Sequence, residues 1–371
     1  MHRIIYLVAG TNNLTFWVRW DKDFIMPAES IGILTGGGDC PGLNAVIRAA
    51  VRRAMMEKIP MLGIKNGWAG LVHGEVEPLT RYSVSGILHR GGTILGTSRL
   101  NPVKNEAHIA SVKENWKKFG LSSLIVVGGE GTLKAGLALW KDFGLPIVGV
   151  PKTIDNDING TDFTFGFDTA VHTVTEAIDK LHTTAESHHR VMVIEVMGRH
   201  TGWIAGYAGV AGGADLILVP EQPFRMSEVC RILQHRREMG RLFSIVVVAE
   251  DAHPHPDEDF LTTEERADVY HRERLGGIGT VVAREIEKGT GIETRVTVLG
   301  YIQRGGSPSP FDRILASRLG VKAIEMIQAG EFGHMAALQG TKMVSVPLEE
   351  ATREIKKLDI DFLRTAEVFF G

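Results

Sequence analysis

Short apolar runs alternate with amphipathic stretches along most of the chain. The runs are rich in Ile, Val and Leu, which favours buried strands, and the longer stretches carry apolar residues at helical spacing. The expected strands are 31–34, 124–127, 147–150, 191–196, 216–219, 245–249 and 295–299. The expected helices are 43–57, 167–184, 205–211, 227–237, 280–288 and 312–329, with one more that carries Leu133, Leu137 and Trp140. Strands that alternate with helices predict an α/β fold whose parallel sheet is covered on both faces.

Two of the expected strands end in a glycine-rich turn that leads into a helix. The first turn reads TGGGDCPG and the second reads GGEGT. Backbone N–H groups at such a helix start can approach an anion, so both turns are candidate phosphate sites. Pro41 stands where the dinucleotide fingerprint has its third glycine, and the chain has no Walker A sequence, so an ordinary nucleotide-cofactor site is not indicated. Between the two units, GGTILGTSR ends in Arg99, which is well placed to bind phosphate.

The stretch 150–167, VPKTIDNDINGTDFTFGF, concentrates polar chemistry after the expected strand 147–150. Its Asp, Asn and Gly residues predict a loop at the carboxyl end of that strand, where ligands bind in open α/β sheets. The loop carboxylates can hold a divalent metal or accept a proton, and Lys152 and Thr153 can face a phosphate. The alternative from these residues alone is a solvated turn with Asx caps.

Composition sets limits on the function. The length of 371 residues suits two domains. The chain has 44% hydrophobic residues, 23% charged residues and a net charge of −3, and this balance does not indicate nucleic acid or an anionic membrane as a partner. No apolar stretch is long enough to span a membrane, and the first ten residues lack a convincing signal cleavage site. We therefore expect a cytoplasmic protein. Cys40 and Cys230 are too few for a disulfide framework or a zinc site.

Two segments match no expected element. Residues 1–29 suggest an N-terminal extension, with Met26 as an alternative start. Residues 251–275 are a polar, charge-rich insertion. Its His253 and His255 lie near several acidic residues, but a surface loop is the better interpretation because nothing fixes a metal geometry.

Six segments, in order, resemble the bacterial phosphofructokinase family over 31 to the C-terminus. They read LTGGGDCPGLN, GGTILGTSR, VVGGEGT, PKTIDNDINGTDFTFGFDTA, SHHRVMVIEVMGRHTGW and TVLGYIQRGGSPSPFDRILA. The resemblance implies an α/β fold with two doubly wound, mainly parallel-sheet domains. Residues 30–166 plus 303–353 would form the larger, donor-binding domain, and 167–302 plus 354–371 the smaller, sugar-phosphate-binding one. It also implies Mg²⁺-assisted phosphoryl transfer from ATP to the 1-hydroxyl of fructose 6-phosphate.

The same resemblance assigns the donor side of the site. Asp155 would be the base for the sugar hydroxyl, Thr153 would bridge donor and sugar, and Arg99 would counter charge on the transferring phosphate. Glu130, where the family usually has Asp, and Asp157 would hold the metal. The donor-binding residues would be Gly37, Arg99, Leu100, Gly129, Glu130, Gly131, Thr132 and Lys152, with Gly37 also at the transferring phosphate.

On the sugar side, three arginines would bind the 6-phosphate and a loop would hold the fructose. The residues implied are Thr153, Asp155, Asp157, Arg190, Met197, Gly198, Arg199, Glu250, Arg295, Tyr301 and Arg304. Tyr301 stands where ATP-using relatives often have His. In the relatives, the residues matching Arg190 and Arg295 come from a neighbouring subunit, so we expect a homo-oligomer, a dimer of dimers.

The identity of the donor depends on two positions with opposite tendencies. In the family, Gly at Gly131 is typical of ATP users, and Lys at Lys152 is typical of pyrophosphate users. We expect ATP, because Gly131 adds no side chain or charge near the nucleotide, while a flexible Lys152 can move aside. Pyrophosphate is the main alternative. A kinase acting on NAD or lipids would not explain the Asp cluster, and a non-catalytic sugar-phosphate sensor would be expected to lack one of the carboxylates.

Overall fold

The structure, a computed structural model, describes residues 29–258 and 277–368. The expected extension, apart from its last residue, and the alternative start at Met26 lie outside the described residues, as do 259–275 of the insertion and the last three residues.

The described elements alternate as expected from the hydrophobic pattern. The strands are β1 (Ser30–Gly36), β2 (Met61–Ile64), β3 (Val76–Leu79), β4 (Leu121–Gly128), β5 (Ile147–Pro151), β6 (Val191–Val196), β7 (Leu216–Leu218), β8 (Ser244–Ala249), β9 (Thr294–Val298), β10 (His334–Gln339) and β11 (Lys342–Pro347). The helices are α1 (Leu43–Met56), α2 (Trp68–His73), α3 (Glu106–Lys118), α4 (Glu130–Phe143), α5 (Phe167–His188), α6 (Trp203–Ala211), α7 (Met226–Glu238), α8 (Ile278–Thr290), α9 (Pro310–Ala329), α10 (Leu348–Ala351) and α11 (Ile360–Glu367). Short 3₁₀ turns occupy Pro102–Lys104 and Gly300–Arg304.

The strands form two sheets. Within the described ranges, the larger sheet has the order β11-β10-β5-β4-β1-β2-β3 and the smaller one β7-β8-β6-β9. The smaller sheet is parallel throughout, and the larger one is parallel except for the pairs β2–β3 and β10–β11 at its two edges. The predicted α/β fold with mainly parallel sheets is therefore confirmed, whereas the antiparallel edge pairs were not predicted.

The central strands of the larger sheet are buried on both faces. Ile33 of β1 joins one apolar cluster with α1 and α9, and its neighbour Leu34 joins a second cluster with α2, α3 and α4. Successive side chains of a strand point to opposite faces, so a strand covered by helices on both sides must be apolar at every position. This burial explains why β1, β4 and β5 are continuous apolar runs in the sequence.

The start of α1 is fixed by a close approach to the loop that follows β5, within 150–167, which is called the central loop below. Gly42 precedes the helix with φ of 109°, and a Cβ there would lie 2.6 Å from the ring carbon Cδ2 of Phe165. Only glycine satisfies both the positive φ and the contact. The first glycine-rich turn and the loop after β5 are thus packed against each other. Of the described helices, none is long and apolar enough to cross a membrane.

Candidate active site

The glycine-rich turns and the central loop begin at one edge of the larger sheet. Gly36 at the end of β1 pairs with Gly128 at the end of β4, and Gly128 pairs with Pro151 at the end of β5. The segments after these three strands therefore start side by side. This edge brings together most of the donor-side residues indicated by the sequence.

The Arg99 segment is bonded to the first glycine turn. The Gly37 N–H donates to the Ser98 carbonyl at 3.1 Å, and the Thr97 hydroxyl donates to the Gly37 carbonyl at 2.6 Å. Arg99 itself is exposed, and Leu100 packs with the apolar cluster beneath α2 and α3. The Gly37 N–H is thus used within the protein, and the Arg99 side chain is an exposed cation beside this turn.

Thr132 and Gly129 shape the second glycine turn. The Thr132 side chain lies so close to Gly36 and Gly128 that a Cβ on either would be within 2.7 Å of it. Gly129 precedes α4, and its Cβ position lies 3.5 Å from the Lys152 carbonyl. The two strand ends therefore need glycine because the threonine occupies the space above them.

Lys152 and Gly131 differ sharply in environment. Lys152 is 3% exposed, and its ammonium donates to the Gly38 carbonyl beneath the first glycine turn. Burial lowers the pKa of Lys152, and the positive charge of Arg304 adds to this effect. Gly131 is exposed, and a Cβ there would meet no atom within 4 Å. The structure therefore shows a buried, bonded Lys152 where we expected a flexible one, while the space beside Gly131 is open.

Asp155 is a buried carboxylate with only one of its two oxygens engaged. The Thr153 hydroxyl donates to Oδ2 of Asp155 at 3.2 Å and accepts its backbone N–H at 3.0 Å. Oδ1 has no hydrogen-bond partner in the described parts of the chain. Asn156 follows in the left-handed region, with φ of 52°, and its Oδ1 accepts the Thr164 N–H at 3.0 Å. This turn leaves one oxygen of a fixed carboxylate free for a ligand.

Asp157 is the second buried carboxylate, and it suits a cation. Burial and, to a lesser extent, the charge of Asp155 raise the pKa of Asp157 to about 6, and Arg199 opposes the shift. Its Oδ1 also lacks a partner among the residues described. Glu130 begins α4 and forms an ion pair with Lys134.

The side chains available as ligands limit what kind of metal would fit the site. No group of three or more His, Cys, Asp or Glu side chains in the described ranges is arranged to hold a metal. Mg²⁺ is usually bound by one or two carboxylates together with water and substrate phosphates, not by an all-protein cage. The free oxygen of Asp157, with Glu130 as the second carboxylate, therefore fits Mg²⁺ better than a structural metal.

The loop after β6 that contains Met197, Gly198 and Arg199, called the sugar-side loop below, is held by Glu250 at the end of β8. Its Oε1 accepts the Gly198 N–H at 3.3 Å and the Arg199 N–H at 2.9 Å. Burial raises the pKa of Glu250, and the Asp155 charge contributes to the rise while these bonds oppose it. Arg199 has φ of 54°, in the left-handed region that non-glycine residues seldom adopt. The carboxylate thus fixes the backbone of the loop predicted to hold fructose.

The turn at Gly300–Arg304 contacts both sides of the site. The Met197 N–H donates to Oε1 of the buried Gln303 at 3.2 Å, and the Arg304 guanidinium donates to the Asp39 carbonyl at 3.3 Å. Arg304 thus lies beside the first glycine turn. Tyr301 in the same turn is 76% exposed.

Thr201 is a site residue that the sequence analysis missed. It is fully buried, and its hydroxyl lies 3.2 Å from the Asp155 carbonyl and 3.0 Å from the Gly198 carbonyl. The hydroxyl therefore joins the loop of the predicted base to the sugar-side loop. The sequence feature that could have indicated it is its position in GRHTGW, directly after the sugar-side loop.

Arg190 and Arg295 lie away from the rest of the site. Arg190 precedes β6 whereas Met197 follows it, so the six residues of this strand separate them by about 20 Å at ~3.3 Å per residue. Arg295 lies at the same end, paired in register with Met192. Both guanidinium groups contact Glu293, the Arg190 pair at 2.8 Å. Within one chain these two arginines do not reach the sugar-side loop.

Comparisons with known proteins agree on one family. The family model described as phosphofructokinase matches residues 30–327. A pyrophosphate–fructose 6-phosphate 1-phosphotransferase of Streptomyces coelicolor is 52% identical over 342 residues, covering 92% of this chain and 99% of that protein. An ATP-dependent 6-phosphofructokinase of Corynebacterium efficiens is 50% identical over 349 residues, covering 93% and 100%. A solved phosphofructokinase from Saccharomyces cerevisiae is 30% identical with a TM-score of 0.76, over 88% of this chain and 45% of that one.

Proposed function

The chain belongs to the phosphofructokinase family, and we propose that it uses ATP to phosphorylate the 1-hydroxyl of fructose 6-phosphate, with Mg²⁺, giving fructose 1,6-bisphosphate and ADP. The family makes it a fructose-6-phosphate phosphotransferase, and the donor is the part we propose. One observation supports the chemistry best. Asp155 has one oxygen fixed by Thr153 and the other without a partner in the described chain, at the edge where both glycine turns meet.

Asp155 would act as the general base. The Thr153 hydroxyl holds Oδ2, so the free Oδ1 would accept the proton of the sugar 1-hydroxyl as that oxygen attacks the terminal phosphorus. A positioned base of this kind contributes about 10²–10⁴ to the rate. Thr201 would keep the loop aligned with the fructose, since its hydroxyl contacts the carbonyls of Asp155 and Gly198.

Charge on the transferring phosphate would be met by two kinds of residue. Asp157 and Glu130 would hold Mg²⁺, which when bound neutralises charge on the donor phosphate oxygens. Arg99, exposed beside the first glycine turn, would bring its guanidinium to the phosphoryl group. Arg304 lies on the other side of this turn, against Asp39, where it would bind the 6-phosphate of the sugar.

ATP is favoured by the geometry at Gly131 and Lys152. Open space at Gly131 leaves room for a nucleotide to continue beyond its outer phosphates. Lys152 is buried and bonded to the Gly38 carbonyl, so its ammonium does not stand in that space. Pyrophosphate remains the second candidate, because Lys152 adds a positive charge under the phosphate loop and the Streptomyces relative carries that name.

The donor can be decided by one assay. Formation of fructose 1,6-bisphosphate would be measured with Mg²⁺ and either ATP or pyrophosphate. We expect kcat/KM for ATP to exceed that for pyrophosphate by at least about 100-fold, since a few kcal/mol of differential binding produces such a ratio. Turnover with pyrophosphate alone would overturn the donor. Absence of turnover with either would favour a sugar-phosphate sensor.

We further propose that the functional unit is a homo-oligomer of dimers in the cytoplasm. Arg190 and Arg295 lie about 20 Å from the sugar-side loop of their own chain by the strand rise, so a second copy would have to supply them. Large apolar side chains are exposed along β9, in the turn after it and at the start of α9. They are Val296, Val298, Tyr301, Ile302, Phe311 and Ile314. A second copy seated there would cover them.

The division into domains also stays a proposal. The larger domain would be 30–166 plus 303–353, and the smaller would be 167–302 plus 354–371. The two separate sheets support this division. The stacking of Phe362 in α11 on Tyr207 in α6 supports the return of the chain to the smaller domain after about residue 354.

A further inference from the structure

A late segment of the chain, 354–358, lies along the loop that follows β5. The Asn159 amide donates to the Glu354 carbonyl at 2.7 Å, and Ile158 forms an antiparallel bridge with Ile355. The Lys356 N–H donates to the Asp157 carbonyl at 3.0 Å. The segment therefore pairs with the loop much as an added strand would, directly behind the two catalytic-site carboxylates.

The Lys356 side chain extends this contact to the far end of the loop. Its ammonium donates to the Thr161 carbonyl at 2.9 Å and to the Asp162 carbonyl at 2.8 Å. It also lies 4.9 Å from the centre of the Trp203 ring. Two carbonyls and an aromatic face account for the three N–H directions of an ammonium. The backbone of Lys356 therefore bonds to the loop at Asp157, and its side chain bonds to the loop at Thr161 and Asp162.

The opposite side of the segment is bonded to the start of α6. The Trp203 indole N–H donates to the Lys356 carbonyl at 2.9 Å. Glu221 accepts the Gly202 N–H at 3.0 Å and the Leu358 N–H at 2.9 Å with one oxygen. Since Gly202 and Trp203 directly follow the sugar-side loop, the segment joins the loop of the base to the loop of the sugar.

We propose that Lys356 is a positioning residue of the phosphoryl-transfer reaction, which fixes the loop of Asp155 and Asp157 relative to Trp203 and the sugar-side loop. The proposal rests on the proposed function for the roles of the two carboxylates. The loop has no regular structure of its own, so hydrogen bonds to its carbonyls determine where its side chains lie. A misplacement of about 1 Å at reacting groups can lower a rate about 100-fold.

The test compares three variants with the wild type. Lys356→Met keeps the apolar stem against Trp203 and removes the three N–H donors, and Lys356→Arg keeps a cation. Lys357→Met removes a neighbouring exposed lysine and is the matched control. We expect Lys356→Met to lower kcat about 10- to 100-fold with KM for fructose 6-phosphate nearly unchanged, Lys356→Arg to recover most of the loss, and Lys357→Met to match the wild type.

Two readouts keep a positioning role apart from a merely structural one. Rates would be measured with ATP and with pyrophosphate, so that an incorrect donor assignment would not be mistaken for a failure at Lys356. Amide hydrogen exchange across 155–164 should be faster in Lys356→Met than in Lys357→Met even if neither donor supports turnover. Wild-type kcat in Lys356→Met would overturn the proposal. So would equal exchange in the two Met variants, or a loss of kcat that follows the loss of thermal stability and is not recovered by Arg.

Discussion

Asp312 is a fully buried carboxylate that joins the starts of α5 and α9, and Asp312→Asn gives the sharpest test of the electrostatics. Its Oδ2 accepts the Thr169 N–H at 2.9 Å and also the Thr169 hydroxyl. Burial raises the pKa of Asp312 to about 6, and the bonds from Thr169 oppose the rise. Asparagine retains an oxygen acceptor for Thr169 but carries no charge at any pH. The variant should therefore differ from the wild type in a way that depends on pH.

The magnitude follows from the two pKa values. The native value of about 6 lies about two units above the ordinary 3.8, and one unit corresponds to ~1.4 kcal/mol, so the full effect is about 3 kcal/mol. Below about pH 4 both the native and the unfolded states hold the proton and the carboxyl contributes nothing. Between about pH 4 and 6 the unfolded state loses the proton first, so native stability falls as pH rises. Above about pH 6 the destabilisation is complete.

Urea unfolding of wild type and Asp312→Asn at several pH values measures this change. Between about pH 4.5 and 7.5, we expect the difference in unfolding free energy to move by about 2 kcal/mol in favour of Asn. Protein concentration has to be held constant, since unfolding of an oligomer depends on it. Asp142→Asn, at an exposed position in α4, is the control for the loss of a surface carboxylate. A difference for Asp312→Asn that does not vary with pH would refute the reasoning.

The site itself can be tested at three places. Thr201→Val removes the hydroxyl that bonds two loop carbonyls, so kcat should fall about tenfold, as expected for loss of ~1–1.5 kcal/mol. Thr201→Ser keeps the hydroxyl and should keep the wild-type kcat. Equal rates in the two variants would contradict the proposed role of Thr201. Gly131→Asp places a charge in the open space on the donor side. At ~4 Å from a phosphate charge, with an effective dielectric constant near 20, the repulsion is about 4 kcal/mol, so kcat/KM for ATP should fall far more than in Gly131→Asn, and the same loss in both would implicate bulk instead. Asp155→Asn and Arg190→Ala subunits should each be inactive alone. If each site takes Asp155 from one subunit of a two-fold pair and Arg190 from the other, one of the two sites in a mixed pair is intact, so random mixing should restore up to about a quarter of wild-type activity. No recovery would place Arg190 outside the site.

The hydrophobic pattern predicted the central strands well for a physical reason. β1, β4 and β5 are buried on both faces, so each contains an unbroken apolar run, and β1 and β4 end in glycine. The antiparallel strands β10 and β11 were missed, since HMAALQ and KMVSVP lack the runs rich in Ile and Val that mark the central strands. Helix α3 was missed as well, because only Val112 and Trp116 in it are buried and its apolar stripe is weak.

The site was only partly accessible from the sequence. The motifs located the residues at the strand ends, because parallel strands end at one edge of a sheet. Local sequence did not reveal that Lys152 is buried, since a lysine after a strand is usually exposed. The roles proposed for Thr201 and Lys356 depend on partners 46 and 195 residues away. Contacts of that range are set by the packing of the two sheets, which no short pattern encodes.

The long separation between the loop and Lys356 has a consequence for synthesis of the protein. Residues 155–162 are made first, and the lysine that holds two of their carbonyls is added 195 residues after Thr161. A nascent chain on the ribosome can therefore form β1, β4 and β5 and present both carboxylates without the segment that fixes them. We expect such a chain to fold much of its larger sheet while its carboxylates stay poorly placed for the reaction. Full activity would then be reached only when the late segment has left the ribosome and docked, so that unfinished chains consume little phosphoryl donor.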